Sequence, residues 1–185
     1  MTRSVSLFTG VGLLLALTSS LASATSIVAR APEQLAQESA LVVDGRVTAV
    51  RSYWNDDHSK IFTEAAIAVD GTHKGSAASS VRIVQLGGVV GNVRMTAHGA
   101  LAWTRGEEVL LFLEPSDPGV YQVAGFSQGK YTIERDARTG KAFVRQALPA
   151  DVDDARAPAT SSSAGTAGAE RVTLEQFLNR VLPQR

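Results

Sequence analysis

The chain has no cysteine. Disulfides, thiol catalysis, cysteine-ligated zinc and a lipidated N-terminal cysteine are therefore excluded. Histidine is scarce: His58, His73 and His98 are the full set. They lack the i, i+4 helical pairing and the close spacing of strong zinc sites. Net charge is missing too, with 18 basic residues against 18 acidic ones. Nothing in that balance draws the protein to nucleic acid or to an anionic membrane. No apolar run reaches the ~20 residues of a membrane-spanning helix. No repeat at solenoid or propeller spacing occurs.

What is present begins with an address label. Met1-Thr2-Arg3 is a short basic start, Leu7 to Leu17 is apolar, and Ala22-Ser23-Ala24 has the small-x-small pattern of a cleavage site. Residues 1–24 are expected to be a signal peptide, and the protein to be exported, to a periplasm or beyond the cell. The remaining length suits one domain of ~150 residues, which buries about 70% of its unfolded surface and needs no staples.

The stretch from Leu41 to Val69 frames that domain. Leu41, Val43, Gly45, Val47 and Ala49 alternate with Asp44, Arg46 and Thr48. Thr63, Ala65, Ile67 and Val69 alternate with Glu64, Ala66, Ala68 and Asp70. A period of two means strand, because successive side chains point to opposite faces. Asn55-Asp56-Asp57-His58-Ser59 between them suits a tight turn. The expectation is one long hairpin with one face in a core.

Around it the chain punctuates itself. Pro32 to Glu38 reads as a short helix, with proline at the first helical position. Val81 to Gln85 alternates as a third strand, which Gly87-Gly88 and Gly91-Asn92 should end. Val93 to Met95 is a short strand candidate before a loop carrying His98 and Trp103. Val109 to Leu113 is apolar on both faces and so belongs to the most central strand. Pro115 and Pro118-Gly119 should stop it. Val120 to Val123, Tyr131 to Ile133 and Ala142 to Val144 follow as strands. Residues 31–147 are thus expected to form an antiparallel β domain, and 148–171 a flexible linker poor in large apolar groups. Residues 172–183 should carry a last helix. Thr173 and Gln176 fit a capping box. Leu174, Phe177, Leu178, Val181 and Leu182 make one apolar stripe, for which docking is the default. The fold class is mainly β: a small antiparallel OB-like barrel with a short N-terminal helix and a C-terminal amphipathic one.

Leu41-Val42-Val43-Asp44-Gly45-Arg46-Val47, Lys74-Gly75, and Gly106-Glu107-Glu108-Val109-Leu110-Leu111-Phe112-Leu113 resemble the netrin/TIMP-like branch of OB barrels. They are also similar to small exported bacterial proteins of that shape. The resemblance covers most of Leu35 to Val144. It implies a five-stranded or slightly elaborated barrel whose loops bind other proteins. Metalloprotease inhibitors of that group depend on an N-terminal cysteine and on disulfides. This chain has neither, so no inhibitory residue is carried over.

Several motifs carry chemistry elsewhere. Gly125-Phe126-Ser127-Gln128-Gly129 is a literal G-x-S-x-G, the nucleophile elbow of α/β-hydrolases. There a helix follows the serine, whereas Tyr131-Thr132-Ile133 reads as a strand. All three histidines also precede Ser127, against that fold's order. Gly87 to Asn92 lacks the Lys and Ser/Thr of a phosphate loop. Asn55-Asp56-Asp57 resembles part of a calcium loop without its alternating ligands. Glu107-Glu108 is a poor acid/base pair, because neighbours on a strand face apart; Asp153-Asp154 falls in the expected linker. Trp54, Tyr53 and Phe62 flank the first turn, as a core plug or a recognition patch.

These readings converge on an exported, non-catalytic β-barrel module that binds a protein or another envelope component. No cofactor, no metal, no nucleic acid and no membrane span after cleavage are expected. The binding face is expected at Trp54, Asn55, Gly88, Gly91, His98 and Trp103, on loops positioned by a rigid sheet. The alternatives are a small serine hydrolase using Ser127, or a purely structural accessory domain.

Overall fold

The computed structural model describes residues 29–147 and 171–183. The expected signal peptide, and the expected linker apart from Arg171, lie outside the described residues. Helix α1 is Pro32–Glu38. Strands follow as β1 Leu41–Trp54, β2 Ile61–Lys74, β3 Ser80–Leu86, β4 Gly88–Val90, β5 Val93–Met95, β6 Glu108–Asp117, β7 Val120–Val123, β8 Lys130–Arg135 and β9 Ala142–Gln146. Helix α2 is Leu174–Val181.

The pairing order is β1-β2-β3-β7-β6, and β6 pairs again with β1. The sheet therefore curls into the barrel-like, mainly β form expected from the alternation. The same pairing runs on from β6 to β8 and β9. One feature departs from an all-antiparallel wall: β3 and β7 run parallel, joined at Arg82↔Val120 and Ile83↔Tyr121.

The apolar run in β6 is covered on both faces, as its composition requires. Val109, Leu111 and Leu113 join Val43, Val47, Ile67 and Ile83 in an inner core. Leu110 and Phe112 point the other way and meet Leu35 of α1 and Phe177 and Val181 of α2. Fully burying one such side chain contributes about 1.5–3 kcal/mol. The amphipathic stripe of α2 thus docks on the outer side of the sheet. The Phe177 ring centre lies 4.7 Å from that of Tyr131, tilted, and 6.4 Å from that of Phe112, edge-on. The capping box forms, with Thr173 Oγ1 accepting from Gln176 N at 3.2 Å and Gln176 Oε1 accepting from Thr173 N at 3.1 Å. At the end of α1 the Lys74 ammonium donates to the carbonyls of Ala36 and Gln37, each at 2.8 Å.

Three local expectations are corrected. The β1–β2 ladder slips between Asp44 and Gly45 and again between Val47 and Ala49. A bulge swaps which side chains face inward, so Ala49 is exposed. Of the two expected stops, Pro115 does not end β6, which continues across an irregularity to Asp117 and ends before Pro118-Gly119; proline is tolerated at such a bulge. The segment after β3 is not only a loop. Gly88–Val90 and Val93–Met95 form a small separate hairpin around Gly91-Asn92. Gly45 fits its inward position through close approach: a Cβ there would sit 2.1 Å from the Ala68 carbonyl oxygen.

Candidate functional site

Strand pairing lines up a row across the outer face of the wall. Tyr53 pairs with Phe62, and Phe62 with Leu86. The Tyr53 and Phe62 rings stack at 6.3 Å. The next row is Arg51, Glu64 and Val84. Arg51 grips Glu64 through two hydrogen bonds, 3.2 and 3.1 Å, and Arg82 reaches the same carboxylate at 3.8 Å. The charges on this face are therefore mostly used against one another.

Beside these rows β3 and β7 diverge, and a groove of about 520 Å³ opens between them. Its walls include Phe62 and Leu86 on one side, Gln122, Val123 and Phe126 on the other, and the segment Ala97–Leu101 at one end. A volume of this size is typical of ligand clefts.

Phe126 is where the G-x-S-x-G motif leads. Phe112 accepts from Ala124 N at 2.8 Å and donates to the Gly129 carbonyl at 2.9 Å. Residues 125–128, between β7 and β8, are thus extruded from one position of the β6 edge. Gly129 N closes the base on the Ala124 carbonyl at 3.0 Å. A Cβ on Gly129 would sit 2.7 Å from that oxygen, so only glycine allows the closure. Ser127 turns inward, 4% exposed, and β8 rather than a helix follows. Phe126 turns outward, 66% exposed, with φ at +62°. A bulky residue in the left-handed region is strained by about 1–3 kcal/mol, and such strain gathers at functional sites.

The far end of the groove is latched to the barrel. The Gln85 side chain bridges to Leu101, donating to its carbonyl at 2.7 Å and accepting its N–H at 3.1 Å. It also accepts from the Trp103 indole at 3.2 Å. Lys130, 2% exposed, lies 4.6 Å from the Trp103 ring centre. Its ammonium donates to the Ala102 carbonyl at 2.7 Å and pairs with Glu107 at 2.9 Å. Burial holds the Lys130 pKa below its ordinary value, against the pull of Glu107.

The six residues singled out from sequence are dispersed. His98 lines the groove. Trp103 is a partly buried plug against the inner core. Trp54 faces the His58 ring at 6.1 Å. Asn55 shapes its own turn, accepting from Lys60 N at 2.8 Å. Gly88 sits beside Ser52 and Thr63, and Gly91 at the tip of the β4–β5 hairpin. Tyr53 and Phe62, read as a patch or a plug, line the groove. Leu86 and Phe126 were missed. A lone aromatic among small residues between two strands was the available signal for Phe126.

The other motifs have local uses. Asp57 accepts from Ser59 N at 3.0 Å and Ser59 Oγ at 2.6 Å, which holds its carboxyl below the usual range. His73 pairs with Asp44 at 2.6 Å. Glu107 faces Lys130, while Glu108 faces Arg46 and Arg135. Among the described residues no three His, Asp or Glu side chains cluster as metal ligands would. Among them, too, no helix is long and apolar enough to cross a membrane. Compared with known proteins, the chain matches no family model and no curated protein.

Proposed function

We propose that this is an exported, non-catalytic binding or accessory module, and that its ligand is a protein or another envelope component. The observation that carries the reading is Phe126: an apolar ring held in water on a strained backbone, at the rim of a groove whose opposite wall is also apolar. Exposed aromatics next to a concave apolar surface favour association. The resemblance to netrin/TIMP-like barrels, where loops bind other proteins, points the same way. So does the groove beside β3 and β7, which lies on a part of the outer face that α2 does not line.

The test is a photo-crosslinking residue at Phe126, with Lys141 on the distant β8–β9 turn as control. In the exporting cell a discrete adduct is expected at Phe126, absent at Lys141 and lost with Leu86→Asp. Identical adducts at both positions, or none, would overturn the reading. The serine hydrolase alternative rests on Ser127 alone. Fluorophosphonate labelling that disappears in Ser127→Ala would establish it, and the binding reading predicts no labelling.

A further inference from the structure

The groove has an edge as well as walls. Gly87 N donates to the Ile61 carbonyl at 2.8 Å. In an antiparallel ladder such exchange recurs at every second residue. Gln85 therefore faces β2 with its backbone, and Leu86 turns its N–H and C=O away from β2. The strand that would receive them, β7, has already diverged, since its pairing with β3 stops at Ile83↔Tyr121. The same reasoning holds across the gap. Ala124 N bonds Phe112 O at 2.8 Å, so Val123 turns its own backbone groups away from β6. Two short lengths of edge, at Leu86 and Val123, thus face one groove with no ladder partner among the described residues. Leu86 is 41% exposed.

Charge adds direction. The Glu64 carboxylate in the lining is already taken, gripped by Arg51 and reached by Arg82 at 3.8 Å. Asp117, at the β6–β7 end of the groove, has no ion-pair partner among the described residues.

We infer that the groove takes an extended segment of another polypeptide by strand addition, with apolar side chains at alternate positions and a lysine or arginine at the Asp117 end. Main-chain hydrogen bonds to Leu86 and Val123 supply part of the affinity, and the apolar walls select alternate side chains. The cation meets the Asp117 carboxylate, which has no ion pair among the described residues. This inference rests on the binding reading above and names its class of partner.

The probe is a synthetic hexapeptide, Lys-Val-Thr-Val-Thr-Val, titrated to millimolar concentration into the ¹⁵N-labelled protein. Amide shifts at Leu86 and Val123 are expected. N-methylation of one central peptide amide should weaken binding about fivefold, because the lost hydrogen bond removes roughly 1 kcal/mol. Asp117→Asn should weaken the lysine peptide and erase its advantage over the glutamate version. No shift, shifts outside the groove, or indifference to both N-methylation and Asp117→Asn would overturn strand addition. If the Phe126 adduct persists in that case, the binding reading stands and only this mode of binding falls.

Discussion

Phe126 and Tyr131 show opposite ways in which one side chain can work against stability. Phe126 keeps a left-handed backbone that glycine would adopt freely. Phe126→Gly should therefore leave the midpoint of urea unfolding unchanged or raise stability by up to about 1 kcal/mol, while removing the Phe126-dependent contact with ligand. A loss of stability would mean that the ring is packing, not waiting. Tyr131 is buried between the sheet and α2, and its hydroxyl has no hydrogen-bond partner among the described residues. Tyr131→Phe should be neutral or stabilising by about 1 kcal/mol at pH 7, since an unsatisfied buried hydroxyl costs about that much. Burial also pushes the phenol from 10.0 up to about 12. The folded state thus holds the proton more tightly than the unfolded one. That contribution is complete below pH 10 and falls away as pH rises toward 12, by about 2–3 kcal/mol. Unfolding curves collected across that window should show the alkaline slope in the parent and a shallower one in Tyr131→Phe. Lys130 is the contrasting case, buried but fully engaged. Lys130→Ala leaves Glu107 without its cation and should cost about 3 kcal/mol. The loosened Leu101–Glu107 segment should then exchange its amide hydrogens faster.

At the scale of elements, α2 is held by few but large contacts. Phe177→Ala removes the ring wedged between Tyr131 and Phe112 and should cost about 3–5 kcal/mol in chemical denaturation. A change within error would mean that α2 is only loosely seated. Much of this level was readable in advance, for a local reason. The β1–β2 hairpin, the two-faced β6 run and the capped α2 stripe are periodicities of two and 3.6, which depend only on residues a few positions apart. The misreadings lie where that periodicity is interrupted. The bulge after Val47 moved Ala49 to the exposed side, and three-residue β4, bracketed by glycines, is too short to show a period. Proline at position 115 has the look of a stop, yet a bulge lets β6 carry it as far as Asp117, before Pro118-Gly119.

The whole molecule turns on β6, which pairs with β1, β7 and β8 and lies between the inner core and the helix-covered one. Two cores sharing one strand should unfold together. Ile67→Ala, in the inner core, should cost about 2–5 kcal/mol, and should lower the near-UV signal of the outer aromatic cluster and the far-UV signal at the same midpoint. Separate midpoints would show two independent units. The candidate site belongs to this scale. His98, Tyr53 and Phe62 drew notice as individual residues, but their neighbours in the groove did not, because Leu86 and Phe126 lie forty positions apart in the chain. Residue order carried the strands, their faces and the helix caps, since these follow from sterics and periodicity between near neighbours. Which strands met depended on burying both sides of β6 at once. That long-range requirement set β3 beside β7 in parallel, and their divergence opened the groove with its unpaired edges.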